Sequence, residues 1–105
     1  MQAKVIYEVK VEVEPEIRDA YDAWLTGHAR EVVNAGGFTK AEIFRESDGA
    51  LTWVVHYHAE NMTVIENYVR HHAPNLRADA VQRFGERAHT ERRILVLESR
   101  VPDLT

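Results

Sequence analysis

The segment from residue 15 to residue 38 combines a one-sided helix with an abrupt stop and the start of a strand. Aromatic and aliphatic side chains recur in it at spacings of three and four residues, the pattern of an amphipathic helix: Ile17, Tyr21, Trp24, Leu25, His28 and Val32. Pro15 suits the first turn of such a helix. Gly36 and Gly37 end it, because glycine adopts the left-handed cap conformation without steric cost. Phe38 then opens a strand, which indicates a domain that mixes helices and strands.

The rest of the chain extends this pattern into a complete order of elements. Alternation of apolar and mostly polar residues predicts a first strand over 5–13, whose dry face carries Val5, Tyr7, Val9, Val11 and Val13. The other face, with Glu8, Lys10 and Glu12, meets water or a polar interface, and its glutamates are interpreted as solvated carboxylates. Further strands are predicted over 38–46 and 51–58, joined by a turn at Ser47–Gly49. The last strand is predicted over 88–98, with residues 94–97 as its dry centre.

Two more helices are predicted between the third and fourth strands. The first begins near Asn61 or Thr63, and Thr63 with Glu66 has the spacing of a capping box. Pro74 ends or breaks it, and a short helix then runs to Gly85. The order β-α-β-β-α-(α)-β predicts an α+β, ferredoxin-like fold: four antiparallel strands with helices on one face.

Length and composition set the class of protein. A chain of 105 residues has room for one domain, predicted over 1–99, followed by a tail over 100–105. The chain has no cysteine, which excludes thiol chemistry and disulfides, and no apolar stretch of the ~20 residues that a membrane helix requires. The net charge of −4 without a basic run argues against nucleic acid. We expect a cytoplasmic protein that binds neither membrane nor nucleic acid.

The sheet face away from the helices carries too many apolar residues to remain fully hydrated. The alternation assigns this face Ile6, Val54, His56, Ile94 and Val96, mixed with charged residues. Packing two such faces together would bury them. The sequence therefore predicts a homodimer through the sheet face, shaped as an α/β barrel.

A succession of short motifs resembles a known family. The motifs run through the chain as Tyr21-x-x-Trp24-Leu25-x-x-His28, Gly37-Phe38-Thr-x-Ala41, Val54-Val55-x-Tyr57, His72-Ala73-Pro74-x-Leu76-Arg77-Ala78, Arg83-Phe84-Gly85 and Glu91-Arg92-Arg93. The set is similar to the DUF4286 family, small bacterial proteins of unknown function. The resemblance implies the dimeric α/β-barrel superfamily, which also holds antibiotic-biosynthesis monooxygenases and haem-degrading enzymes. It does not imply any of those activities, because a fold does not determine a function.

The pair Trp24 and His28 is the first candidate for a site. Residues four apart lie on the same helix face, so the two rings stack one turn apart. They either seal the helix–sheet boundary or line a pocket, where an imidazole can act as acid, base or ligand near neutral pH. The candidate ligand-binding residues are Trp24, His28, Phe38, His56 and Arg83.

The other histidines and the arginines leave alternatives open. His56 and His58 share one strand face, which favours a polar dimer interface, with the alternative that they hold a divalent metal if His89 or Glu91 supplies another ligand. Arg77 and Arg83 either pair with carboxylates or form an anion-binding edge of a pocket.

None of the known catalytic motifs occurs in the sequence, so three hypotheses of function stay open. The first is a homodimer that binds a small, partly apolar ligand between helix and sheet, with no cofactor and no metal. The second is a cofactor-free enzyme of the monooxygenase or isomerase type that uses Trp24, His28 and His56. The third is haem or metal binding through a histidine.

Overall fold

The computed structural model describes residues 4–102 and contains the predicted order of elements. The strands are β1 (Val5–Val13), β2 (Lys40–Arg45), β3 (Thr52–Ala59) and β4 (Ala88–Val96), and the helices are α1 (Arg18–Gly36), α2 (Met62–His71) and α3 (Ala73–Phe84). One-turn 3₁₀ segments, Pro15–Ile17 and Gly85–Arg87, precede α1 and β4. Residues 97–102 form neither helix nor strand. Residues 1–3 and the last part of the predicted tail, 103–105, lie outside the described residues.

The four strands form one antiparallel sheet in the order β2-β3-β1-β4. The hairpin partners β2 and β3 are neighbours, and β1 is inserted between β3 and β4. The crossover segments carry α1 between β1 and β2 and the α2–α3 pair between β3 and β4, and the helices cover one face of the sheet. This arrangement confirms the ferredoxin-like prediction.

Helix α1 buries the stripe that the sequence predicts, against the sheet. Its buried side chains recur every three or four residues, at Tyr21, Leu25, Ala29 and Val32. Trp24 and His28 flank this stripe and are half-buried. Gly37 caps the helix with a φ of 72°, in the left-handed region, and its N–H donates to the Val33 carbonyl. A residue with a Cβ would be strained there.

The core lies between this helix face and the dry side of β1. Val5, Tyr7, Val11 and Val13 are buried there, as predicted. Neighbouring rings extend the core into a cluster in which Tyr7, Phe38, Tyr57 and Tyr68 contact one another at centroid distances of 5.3–6.3 Å. The aromatic cluster, as we call these four residues, connects β1, β3 and α2.

The start of α2 differs from the capping box expected at Thr63. Asn61 is the N-cap, and its side-chain oxygen accepts a hydrogen bond from the Val64 N–H at 3.2 Å. The helix therefore begins at Met62, one residue before Thr63. Asparagine is among the strongest N-cap residues, so it satisfies the exposed amide first.

The prediction for β4 was wrong in two respects. Residues directly opposite in an antiparallel ladder share a face, and Ile94 lies opposite Tyr7 while Val96 lies opposite Val5. Both therefore belong to the helix-covered side, and Leu95, opposite Ile6, belongs to the other face. The predicted dry centre is also exposed, with Val96 55% accessible, because β4 is an edge strand that the helices do not reach.

The face without helices, called the open face below, carries a mixture of apolar and charged residues. Its apolar members are Ile6, Phe44, Val54 and Leu95, of which Phe44 is 47% exposed. In the part of the chain that the structure describes, none of the helices has the length and apolar character required to cross a membrane.

Candidate functional site

Trp24 and His28 stack on each other on the sheet-facing side of α1. Their ring centroids are 4.2 Å apart and their planes differ by 20°. Phe84 also contacts Trp24, in a T-shaped arrangement with the two ring centroids 5.2 Å apart. The spacing of four residues produces this stack, since it brings side chains one helical turn apart onto the same face.

The stacked pair lines a cavity between α1, α3 and the sheet. Its volume is about 50 Å³. Besides Trp24 and His28, its walls are formed by Tyr7, Val9, Val11, Tyr21, Leu25, Val32, Val55, Tyr57, Tyr68, Arg77, Ala80, Thr90 and Arg92. That volume holds a few water molecules, whereas pockets for drug-sized molecules measure roughly 300–1,000 Å³. A larger ligand therefore requires one wall to move.

Helix α3 is anchored to the core by fewer buried residues than α1 is. Its buried residues are Ala73 and Phe84, at its two ends. Between them Arg77 and Ala80 face the cavity and are only half-buried. Outward movement of the middle of α3 would enlarge the cavity and would also expose part of Leu76, which packs against the core.

His28, which lines this cavity, has an unpartnered ring nitrogen. Its Nδ1 atom is buried and has no hydrogen-bond partner among residues 4–102. Burial lowers the pKa of the imidazole below 6.5, and the charge of Arg92 lowers it further, against the opposing charges of Glu31 and Asp79. The ring is therefore neutral at pH 7, with one nitrogen able to accept a hydrogen bond or a proton.

We expect His28 to titrate below pH 6.5 in a histidine-selective NMR titration. Replacing Arg92 with glutamine should raise this pKa, because it removes a positive charge that disfavours the imidazolium. Replacing Arg70 with glutamine on α2 serves as the control, and should leave His28 unchanged. A pKa of 6.5 or above in the unmodified protein would show that the imidazole is hydrated rather than buried.

Tyrosines and arginines complete the polar part of the cavity. The Nη2 group of Arg77 donates a hydrogen bond to the Tyr7 hydroxyl at 2.9 Å. Burial raises the pKa of Tyr68 to about 12 and raises those of Tyr21 and Tyr57 as well. The phenols are therefore protonated near neutral pH, so that they act as hydrogen-bond donors and not as bases.

The structure does not bring the five predicted site residues together. Trp24 and His28 line the cavity, and Phe38 is buried next to it in the aromatic cluster. His56 lies on the open face, opposite Glu8 in the sheet ladder. Arg83 lies outside the cavity lining on α3, where its Nε donates to Asp79 at 3.4 Å.

The sequence analysis missed Tyr7, Arg77 and Arg92 as members of one site. Tyr7 was assigned to the dry side of β1 but only as core, and Arg77 was assigned to a pocket edge or a carboxylate pair. The available signal lay in β4, where period-two alternation places Arg92 on the same face as Ile94 and Val96. A charge at such a position marks a cavity or an edge more often than a packed core.

The two histidines of β3 are hydrogen-bonded to carboxylates. His56 Nε2 is 2.9 Å from Glu8 Oε1, and His58 Nε2 is 2.7 Å from Glu42 Oε1. Glu8 also accepts hydrogen bonds from Arg93, which is the main reason why the pKa of Glu8 is lowered. Glu8 is 8% exposed, so its prediction as a solvated carboxylate was wrong: its partners on both neighbouring strands cover it.

The predicted metal ligands are too dispersed to share an ion. His89 lies opposite Glu12 and His56 lies opposite Glu8, four residues further along β1, a separation of roughly 13 Å at 3.3 Å per residue. Among residues 4–102 no group of three or more histidine or acidic side chains is arranged to hold a metal ion.

The sheet order and the helices on one face of the sheet define a ferredoxin-like α+β domain. The sequence profile of one family, described as a domain of unknown function (DUF4286), matches residues 4–98. The chain belongs to this family. None of the curated proteins matches it.

Several solved structures share the fold at low sequence identity. SnoaB, a cofactor-independent oxygenase from Streptomyces nogalater, has a TM-score of 0.76 and 13% identity, over 96% of this chain and 99% of SnoaB. A putative antibiotic biosynthesis monooxygenase from Nitrosomonas europaea has a TM-score of 0.69 and 13% identity, over 98% and 97% of the two chains. A conserved protein from Methanosarcina mazei Go1 has a TM-score of 0.72 and 11% identity, over 92% and 95%. At these identities the likeness establishes the fold alone.

Proposed function

We propose that the protein is a homodimer that binds a small, partly apolar molecule in the cavity between α1, α3 and the sheet. The observation that carries this proposal is the stacked Trp24–His28 pair, which lines the cavity and includes a buried Nδ1 atom without a hydrogen-bond partner among residues 4–102. A planar ligand would stack on the pair or contact its edge, and a hydroxyl or amide group of the ligand would satisfy Nδ1.

The cavity can be tested by filling it from α3. Replacing Ala80, which faces the cavity, with phenylalanine should reduce binding of the neutral aromatic probe 2-naphthamide at least about tenfold, because the new ring occupies the same space. Replacing Ala78, which is exposed on the same helix, with phenylalanine is the matched control. Isothermal titration calorimetry measures the affinities, and circular dichroism verifies that both variants are folded. Equal affinities in the two variants would contradict this location.

The homodimer is the second part of the proposal and uses the open face. Phe44, Val54 and Leu95 lie there beside the carboxylate Glu8. Glu8 is already hydrogen-bonded to His56 and Arg93, so covering it with a second copy would not leave this carboxylate unpaired. The superfamily resemblance supports the same arrangement. Sedimentation should give the mass of two chains.

A cofactor-independent oxygenase is the alternative function that one specific observation favours. His28 is neutral, buried and adjacent to an indole, so it could accept the proton of a phenolic ligand and leave an electron-rich phenolate for dioxygen to oxidise. The fold that the chain shares with SnoaB supports this possibility by analogy only. Oxygen uptake with a panel of phenols should then be lost when His28 is replaced by glutamine. The absence of uptake with every phenol in the panel would argue against it.

A further inference from the structure

Two guanidinium groups from different elements face the cavity. Arg77 is on α3 and Arg92 is on β4, opposite Val9 in the ladder. The helix supplies one cation to the lining and the edge strand supplies the other, so the two come from elements on different sides of the same cavity.

Neither cation is neutralised by a carboxylate of the described chain. The arginine ion pairs within residues 4–102 are Arg18–Asp19, Arg83–Asp79 and Arg93–Glu8, and none of them includes Arg77 or Arg92. Arg77 instead donates to a neutral hydroxyl, that of Tyr7. The other lining residues are apolar, aromatic or neutral polar side chains, and none of them is a carboxylate. The lining therefore carries positive charge that no acidic lining residue balances.

The charge of Arg92 affects the pKa values of four side chains that line the cavity. Its charge lowers the pKa of His28 and opposes the increase that burial causes in Tyr21, Tyr57 and Tyr68. Its side chain is exposed on its other side, so it stands at the mouth of the cavity. A negative group placed near these residues would interact favourably with a cation that has no other partner.

We propose that the ligand is a planar aromatic monoanion, with its carboxylate or a similarly shaped oxyanion between Arg77 and Arg92 and its ring against Trp24 and His28. This inference rests on the proposed function, because it specifies the ligand class of the same cavity. Guanidinium groups match the planar geometry of a carboxylate and can donate two parallel hydrogen bonds to it. The Tyr7 hydroxyl, which accepts from Arg77, retains its own O–H to donate to the anion.

The experiment compares two isosteric probes that differ in charge, 2-naphthoate and 2-naphthamide. We expect the unmodified protein to bind 2-naphthoate at least about tenfold more tightly, the ratio that one charge-assisted hydrogen bond of about 1.5 kcal/mol provides. Replacing Arg77 or Arg92 with glutamine should each remove most of that preference, measured in each variant as the ratio of its affinities for the two probes. Replacing Arg83 with glutamine is the control, since Arg83 is on α3 but outside the cavity lining.

The outcomes separate this inference from the proposed function. If the unmodified protein binds 2-naphthamide and 2-naphthoate with equal affinity, the anion inference is wrong and the cavity remains a ligand site. The same conclusion follows if the Arg83 and Arg77 variants lose the preference for 2-naphthoate to the same extent. Failure of both probes to bind would overturn the proposed function and this inference with it. Retained 2-naphthamide binding in the arginine variants shows that they are folded, so that a lost preference reports the charge alone.

Discussion

Replacement of Gly36 by alanine is expected to lower the free energy of unfolding by about 2 kcal/mol. A Cβ atom at this position would lie 2.5 Å from Cε2 of Phe38 and 2.9 Å from Cδ1 of Tyr68, both closer than carbon atoms approach each other. The two rings are buried and pack against each other in the aromatic cluster, so neither is the free end of a flexible side chain. The added methyl group therefore forces either α1 or the cluster to shift, and overpacking of this kind costs roughly 1–3 kcal/mol.

Replacement of Gly27 by alanine is the matched control on the same helix. Nothing lies within 4 Å of a Cβ built there, and the residue is exposed in the middle of α1. Alanine should therefore increase the free energy of unfolding by up to about 1 kcal/mol through helix propensity. Thermal unfolding at one fixed protein concentration compares the variants, with roughly 10 °C between the Gly36 variant and the unmodified protein. Equal melting temperatures for the two alanine variants would show that the contact at Gly36 relaxes without cost.

The elements were predictable because their signals are local. The stripe of α1, the stop at Gly36–Gly37 and the alternation in β1 are each determined by residues within one or two turns of each other, and the structure reproduces them. Strand β4 itself was predicted correctly, but the sheet face to which its side chains belong was predicted incorrectly. The choice of face depends on register against β1, and a shift of one residue moves every side chain to the other side of the sheet.

The candidate site was predictable only where its residues are close in sequence. Trp24 and His28 share one helix, so their stack follows from spacing alone. The contact between Arg77 and Tyr7 joins residues 70 positions apart, and no local pattern contains it. His56 was listed with Trp24 and His28 as a candidate ligand residue although its alternation assigned it to the face away from the helices, and its position opposite Glu8 keeps it outside the cavity.

The homodimer proposal predicts that replacing Val54 with glutamate converts the protein to a monomer at micromolar concentration. Val54 lies on the open face between Lys10 and Phe44 in the sheet ladder. A two-fold dimer would bury the new carboxylate twice, and at roughly 1.5 kcal/mol or more for each copy the dissociation constant should rise about 100-fold or more. Within a single chain the glutamate would face Lys10 across the ladder, so the monomer should remain folded.

Replacement of Val69 by glutamate provides the comparison, because Val69 is 39% exposed on α2, away from the open face. It introduces the same charge at a site that the proposed interface does not include. Sedimentation equilibrium should give the mass of two chains for the unmodified protein and the Val69 variant, and of one chain for the Val54 variant. Circular dichroism distinguishes a folded monomer from an unfolded chain. A Val54 variant that retains the mass of two chains would exclude the open face as the interface, and a monomeric unmodified protein would remove the dimer from the proposal.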